Sequence, residues 1–157
     1  MNDENIITEE HITHSADETQ EIAATVAERI FTRGSVRTRA TVVTLAGDLG
    51  AGKTTFAQGF LGACGANGPF TSPTFSLIKE YVIAHGEFTK VYHIDPYRVE
   101  AADLHALGFV EILRMPDAII LLEWPEIVAS FVSDIDVRVQ LSHVDEQARA
   151  ITLRMAL

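Results

Sequence analysis

The segment of the chain best suited to chemistry is 47–54, which reads GDLGAGKT and fits the phosphate-binding pattern G-x-x-x-x-G-K-[ST]. Glycines allow a tight backbone turn whose N–H groups point inward at phosphate oxygens. Lys53 supplies a full positive charge for β- and γ-phosphates, and the Thr54 hydroxyl is a ligand for Mg²⁺. These residue types at this spacing predict a site for a nucleoside triphosphate.

The residues that flank this segment form the elements that a phosphate-binding loop (P-loop) requires. Residues 41–46 are short, apolar and β-branched, as expected of a buried strand. Apolar residues then recur at helical spacing after the loop: Phe56, Ala57, Phe60, Leu61 and Cys64. Strand, glycine loop and helix together predict phosphate contacts from Asp48, Gly50, Ala51, Gly52, Lys53, Thr54 and Thr55.

Two carboxylates stand where predicted strands end. Glu123 follows five consecutive apolar residues, a run typical of a strand buried on both faces, and Asp95 closes a predicted strand over 90–95. Ligands of α/β sheets bind beyond the carboxyl ends of the strands, so both acids are expected near Thr54. We expect Glu123 to be the principal acidic ligand of Mg²⁺, and Asp95 to be a second ligand or to orient the attacking water. The alternatives are a turn-starting Asp95 before proline and a solvated Glu123.

The remaining patterns predict an α/β fold with a mixed sheet. Ser15 and Glu18 form a capping box for a helix over 16–32, which is expected to end with Gly34 in a left-handed conformation. Residues 76–83 and 90–95 predict one antiparallel hairpin, and alternating residues from 135 to 155 predict another. Short helical segments are expected over 100–107 and after Gly108. One domain is expected over 1–157, with 1–14 as a polar arm whose packing stays open.

Composition narrows the classes of function. The formal net charge is −10, which argues against strong nucleic-acid binding by the chain alone, since phosphate neutralisation supplies most of that affinity. We found no apolar run long enough to span a bilayer and no signal-peptide pattern, so a cytoplasmic location is expected. Cys64 and Trp124 are expected as core residues, and His93 as a packed or surface residue rather than a metal ligand.

The ordered set of motifs resembles the TsaE family of small bacterial ATPases needed for threonylcarbamoyladenosine modification of tRNA. The matching segments are 47–56, 72–75, 92–98, 107–109 and 122–125. The resemblance implies a three-layer P-loop NTPase-like fold, with ATP on the P-loop and Mg²⁺ held by Thr54 and Glu123. It also implies catalytic importance for Lys53, Asp95 and Glu123.

The resemblance implies further features of the site and its partners. Segment 72–74, which includes Thr74, would be a switch that contacts the nucleotide; from position alone it is equally an ordinary lead-in to a strand. Thr19 and the region 145–146 would approach the adenine. The implied partners are TsaD, which transfers the threonylcarbamoyl group to tRNA, and TsaB, with ATP hydrolysis supporting repeated turnover.

Two other functions stay open at this stage. A P-loop kinase for small molecules would need a substrate domain and an arginine-rich lid, and the sequence has no sizeable insertion to supply them. A nucleotide-dependent adaptor would bind ATP and tolerate the loss of Asp95 and Glu123. Because no motif supplies an arginine finger or a positioned glutamine, weak hydrolysis is expected from the isolated chain.

Overall fold

The computed structural model describes residues 5–73 and 75–156. Thr74, which the family resemblance places at the nucleotide, lies outside the described residues. In chain order the elements are β1 (Ile6–Thr13), α1 (Ala16–Thr32), β2 (Thr41–Ala46), α2 (Lys53–Ala63), β3 (Ile78–His85), β4 (Phe88–Ile94), α3 (Ala101–Ala106), α4 (Phe109–Leu113), β5 (Ala118–Glu123), a 3₁₀ helix (Pro125–Val128), β6 (Val137–His143) and β7 (Arg149–Ala156).

All seven strands of the described residues form one mixed sheet in the order β1-β7-β6-β2-β5-β4-β3. The four central strands run parallel, because β2 pairs in parallel with both β5 and β6, and β4 pairs in parallel with β5. The hairpins β3–β4 and β6–β7 are antiparallel, and β1 is antiparallel to β7. The predicted α/β class and mixed sheet are therefore confirmed.

Helices cover both faces of the central strands and give the fold its three layers. Val43 and Leu45 of β2 pack against α1 and α2, whereas Val42 faces the core formed with α3, α4 and the 3₁₀ helix. Successive side chains of a strand point to opposite faces, so a fully apolar strand serves both cores. The apolar run of β5 does the same, with Ile119 in one core and Ile120 in the other.

The predicted bounds of β2 and α1 coincide with the structure. Glu18 N donates to Ser15 Oγ at 3.1 Å, as a cap requires, but the Glu18 carboxylate accepts from the N–H of His14 rather than of Ser15. The prediction of a left-handed cap at Gly34 is wrong. The chain leaves α1 directly in an extended conformation at Arg33 (φ −74°, ψ 94°), so the exit needs no left-handed residue.

Two further expectations are refined. The first hairpin is shifted from its predicted bounds, because Leu77 (φ 62°) stays outside β3 and a short turn at Gly86 (φ 61°) lets β3 run to His85 and β4 begin at Phe88. Within the segment 1–14, whose packing was open, residues Ile6–Thr13 form β1. Its Glu9 accepts from Arg29 of α1 at 2.8 Å, which ties the edge strand to the helix layer.

Candidate active site

A cleft of about 660 Å³ opens at the carboxyl ends of β2, β4 and β5. This is the edge of an α/β sheet at which ligands bind. Its walls come from the P-loop and α2, the N-terminus of α1, the segments after β4 and β5, and the β6–β7 turn. The lining residues are His14, Ser15, Ala16, Thr19, Leu49, Gly50, Gly52, Lys53, Thr54, Thr55, Ser72, Asp95, Tyr97, Arg98, Glu123, Trp124, Glu146, Gln147 and Arg149.

The backbone of the P-loop depends on glycine at its start and end. A Cβ on Gly47 would lie 2.4 Å from the carbonyl oxygen of Leu141 in β6, so only glycine lets the loop rest against that strand. Gly52 precedes α2 in a left-handed conformation (φ 109°). The first N–H groups of α2 have no partners within the helix, and they give this end of the helix a positive partial charge. Such a helix end is suited to binding an anion.

Lys53 is held inside this loop and is only 6% exposed. Its ammonium donates to the carbonyl oxygens of Gly47 and Asp48, the second at 2.9 Å, and lies 4.0 Å above the Trp124 ring. Burial lowers the pKa of Lys53, and the nearby carboxylates of Glu123 and Asp95 oppose that shift. The present partners of the Lys53 ammonium are thus neutral, and a negatively charged phosphate would bind this cation more strongly.

The two predicted acids lie at the ends of neighbouring strands and face the same side of the sheet. Because Ile94 of β4 pairs with Leu122 of β5, the next residues, Asp95 and Glu123, occupy matching positions at the strand ends. Both are buried, with 4% and 3% exposure, and both line the cleft. Asp95 Oδ2 accepts from Ser72 Oγ at 3.2 Å, and its Oδ1 accepts from the N–H of Tyr97 at 3.1 Å.

The structure brings most of the predicted site residues to this one cleft. Asp95, Glu123, Lys53, Thr54, Thr55, Gly50 and Gly52 all line it. Asp48 and Ala51 lie in the same loop: Asp48 contributes its carbonyl to Lys53, and Ala51 is buried. Thr19 and Glu146, which the resemblance placed near the adenine, lie in the cleft walls. What each residue does toward nucleotide, metal or water stays a prediction.

Two residues that the sequence analysis left without a role touch the site. Trp124 was expected in the core, but it is half-buried, lines the cleft and stacks on Tyr97 with 4.8 Å between ring centres. It follows the last residue of β5 in a left-handed conformation (φ 51°), so strand alternation does not predict its direction. His93, which was expected to be either packed or at the surface, is buried, and it hydrogen-bonds Glu123 (Nε2 to Oε1, 2.9 Å).

Comparison with known proteins identifies the family. The family model described as threonylcarbamoyl adenosine biosynthesis protein TsaE matches residues 13–151. The chain belongs to the TsaE family. TsaE of Haemophilus influenzae is 39% identical over 116 residues, covering 73% of this chain and 70% of that protein. TsaE of Rickettsia typhi is 32% identical over 146 residues, covering 92% and 93% respectively.

A solved structure supports the same relationship. The crystal structure of Bacillus subtilis YdiB superimposes with a TM-score of 0.72 and 27% sequence identity, over 97% of this chain and 88% of that one. The TsaE family is named for threonylcarbamoyl adenosine biosynthesis, so a role in that pathway follows for this chain. Among residues 5–73 and 75–156, no helix is long and apolar enough to cross a membrane.

Proposed function

We propose that this TsaE-family chain is a Mg²⁺-dependent ATPase that supports threonylcarbamoyladenosine modification of tRNA. The observation that carries the proposal is the convergence of the P-loop residues Lys53 and Thr54 with the buried acids Asp95 and Glu123 in one cleft. A glycine loop alone would serve many nucleotide-binding proteins. Two strand-end carboxylates beside it favour hydrolysis, because triphosphate cleavage needs a metal site and a positioned water.

The donor atoms of the cleft fit Mg²⁺. The ion prefers oxygen ligands and usually takes one or two carboxylates together with substrate phosphates and water. Thr54, Glu123 and Asp95 offer such oxygens, and no group of three His, Cys, Asp or Glu able to hold a metal occurs within the described part of the chain. The site therefore suits a metal that arrives with the nucleotide. Mg²⁺, when bound, neutralises charge on the β- and γ-phosphates.

The chain's own residues would bind and orient the substrate. The N–H groups of the P-loop and of the first turn of α2 would hold the phosphates. Lys53 would exchange the carbonyl oxygens of Gly47 and Asp48 for phosphate oxygens, since a negatively charged oxygen attracts an ammonium more strongly than a neutral carbonyl oxygen does. Asp95, fixed by Ser72 and the Tyr97 backbone, would hold the metal or the attacking water.

We further propose that the chain acts in the cytoplasm with TsaD- and TsaB-like partners, and that its hydrolysis supports their repeated turnover. The net charge of −10 supports docking on a protein complex rather than direct binding of tRNA. Hydrolysis by the isolated chain is expected to be weak. Arg98 lines the cleft, but its guanidinium lies over the Tyr97 ring at 5.2 Å rather than on a phosphate-binding motif.

The test is Mg²⁺-dependent release of phosphate from ATP, measured with and without the partner complex. Glu123→Ala should abolish hydrolysis, and Lys53→Ala should weaken nucleotide binding or hydrolysis. Glu10→Ala is the matched control, because it removes an exposed carboxylate from the edge strand β1. Normal turnover by both site variants would refute the site. Phosphate transfer to a metabolite would indicate a kinase, and tRNA modification that survives Glu123→Ala would indicate an adaptor.

A further inference from the structure

A buried hydrogen bond connects the strand-end acid Glu123 to His93 on the neighbouring strand. His93 Nε2 and Glu123 Oε1 are 2.9 Å apart, and the two side chains are 2% and 3% exposed. His93 lies two residues before Asp95, so both project from the same face of the sheet toward the P-loop side. In the parallel register, His93 pairs with Leu121, two residues before Glu123. Backbone pairing on two central strands thus fixes the relative position of the two side chains.

We propose that His93 is a positioning residue that donates a hydrogen bond to Glu123 and thereby sets the orientation of its carboxylate toward the metal site. This inference rests on the proposed ATPase function. One carboxylate oxygen, Oε1, accepts from the imidazole, and Oε2 is left for the cleft that Glu123 lines. Partners of metal-binding side chains orient them in this way in many proteins.

The hydrogen-bonding atoms define which imidazole nitrogen carries the proton. An ionised carboxylate only accepts, so Nε2 must be the donor. The other nitrogen, Nδ1, is buried and has no hydrogen-bond partner among the residues the structure describes. A proton on Nδ1 would add a buried donor without an acceptor, which is unfavourable. The arrangement therefore corresponds to a donor at Nε2, facing Glu123.

If the residue at position 93 served only to pack the core, an apolar side chain would suit it better than histidine. The strand β4 also contributes Phe88 and Val91 to the core with α1 and α2. An apolar side chain at position 93 would pack beside Val91 without needing a polar partner. A histidine there introduces a buried polar group that costs free energy unless it is bonded. The hydrogen bond to Glu123 supplies one partner for His93. In return it would fix the Glu123 side chain, which otherwise has three rotatable bonds.

The test uses two amide substitutions that differ only in reach. In glutamine the amide nitrogen occupies the place of Nε2, so His93→Gln can still donate to Glu123. In asparagine the amide reaches only the place of Nδ1, so His93→Asn cannot. Both bury one amide, which makes them a matched pair, and His93→Leu removes the donor altogether.

Activity is measured with the full chain, Mg²⁺ and the partner complex. We expect His93→Asn and His93→Leu to lower kcat by about 10- to 100-fold and to raise the Mg²⁺ concentration at half-maximal rate. His93→Gln should stay within about fivefold of the original protein. The Kd for ATP without Mg²⁺ should change by less than about twofold in all three, since the P-loop contacts are intact. Equal loss in the Gln and Asn variants, or no loss in the Asn variant, would overturn the proposal.

A second measurement does not depend on the variants folding or on hydrolysis. The ¹⁵N chemical shifts of the His93 ring report which nitrogen is protonated, and we expect the proton on Nε2. A proton on Nδ1 alone would overturn the inference. If the original protein fails to hydrolyse ATP with its partners, the proposed function fails instead, and the ring measurement still decides whether His93 donates to Glu123.

Discussion

Replacement of Gly59 by alanine tests how closely α1 and α2 approach each other. A Cβ at this position would lie 2.5 Å from Cα, 2.6 Å from O and 2.7 Å from Cβ of Gln20. Two of these atoms belong to the backbone of α1, so they cannot move without moving the helix. Gly59→Ala therefore forces the two helices apart or distorts one of them.

The expected magnitude follows from two opposed effects. Alanine in a helix is favoured over glycine by about 1 kcal/mol. Overpacking a tight contact costs about 1–3 kcal/mol and sometimes more, and a clash with backbone belongs at the upper end. We expect the free energy of unfolding to fall by about 2 kcal/mol, which lowers Tm by about 4–8 °C in a chain of this size.

The same helix contains a matched control. A Cβ on Gly62 would find its nearest neighbour, the ring of Phe70, at 3.9 Å, which is ordinary contact. Gly62→Ala should therefore raise the free energy of unfolding by up to about 1 kcal/mol. Urea unfolding followed by far-UV circular dichroism measures both variants. If Gly59→Ala proves as stable as Gly62→Ala, the close approach of the helices is not as described.

This contact also concerns the cleft. Thr19 of α1 and Lys53 and Thr54 of α2 line the same cleft, and Gln20 is adjacent to Thr19. Separating the helices at Gly59 would widen the wall between them. We expect Gly59→Ala to weaken nucleotide binding as well, whereas Gly62→Ala should leave it unchanged.

Two further predictions concern single residues, Cys64 at the C-terminal end of α2 and Trp124 beside Lys53. Burial raises the pKa of the Cys64 thiol to about 12, so a thiol reagent at pH 8 should label it only after unfolding. The free energy of unfolding should also fall as the pH rises above about 9, because the thiol ionises in the unfolded chain first. Rapid labelling of the folded chain would contradict the burial of this thiol. Trp124 is the chain's one tryptophan, and the Lys53 ammonium lies 4.0 Å above its ring. ATP binding should therefore change the tryptophan fluorescence as Lys53 moves from the ring to the phosphates. Unchanged emission at saturating ATP would contradict this movement of Lys53.

The sequence predicts the central part of the fold because the signals there are local. β2, the glycine loop and α2 each depend on residue types within about ten positions, and the apolar run of β5 indicates burial on both faces. The meeting of Asp95 and Glu123 follows from one general rule, that parallel strands end at a common edge. Parallel pairing of β4 with β5 satisfies that rule.

The parts that sequence reasoning missed depend on contacts between distant segments. The polar residues of β1 show no strong strand pattern, and the strand exists because β7, at the other end of the chain, offers it a partner. The bond between His93 and Glu123 requires the register of two strands, which no local pattern encodes. Trp124 turns toward the cleft because the backbone reverses immediately after β5.

The pairing of β1 with β7 has a consequence for synthesis. Ile6 lies opposite Ala156 and Thr13 opposite Arg149, so nearly the whole of the polypeptide separates the two partners. During translation at about 5–20 residues per second, β1 must wait for β7 to be synthesised before it can join the sheet. The edge beside α1 is therefore completed only after β7 has been synthesised, whereas the strand, loop and helix around Lys53 come much earlier in the chain.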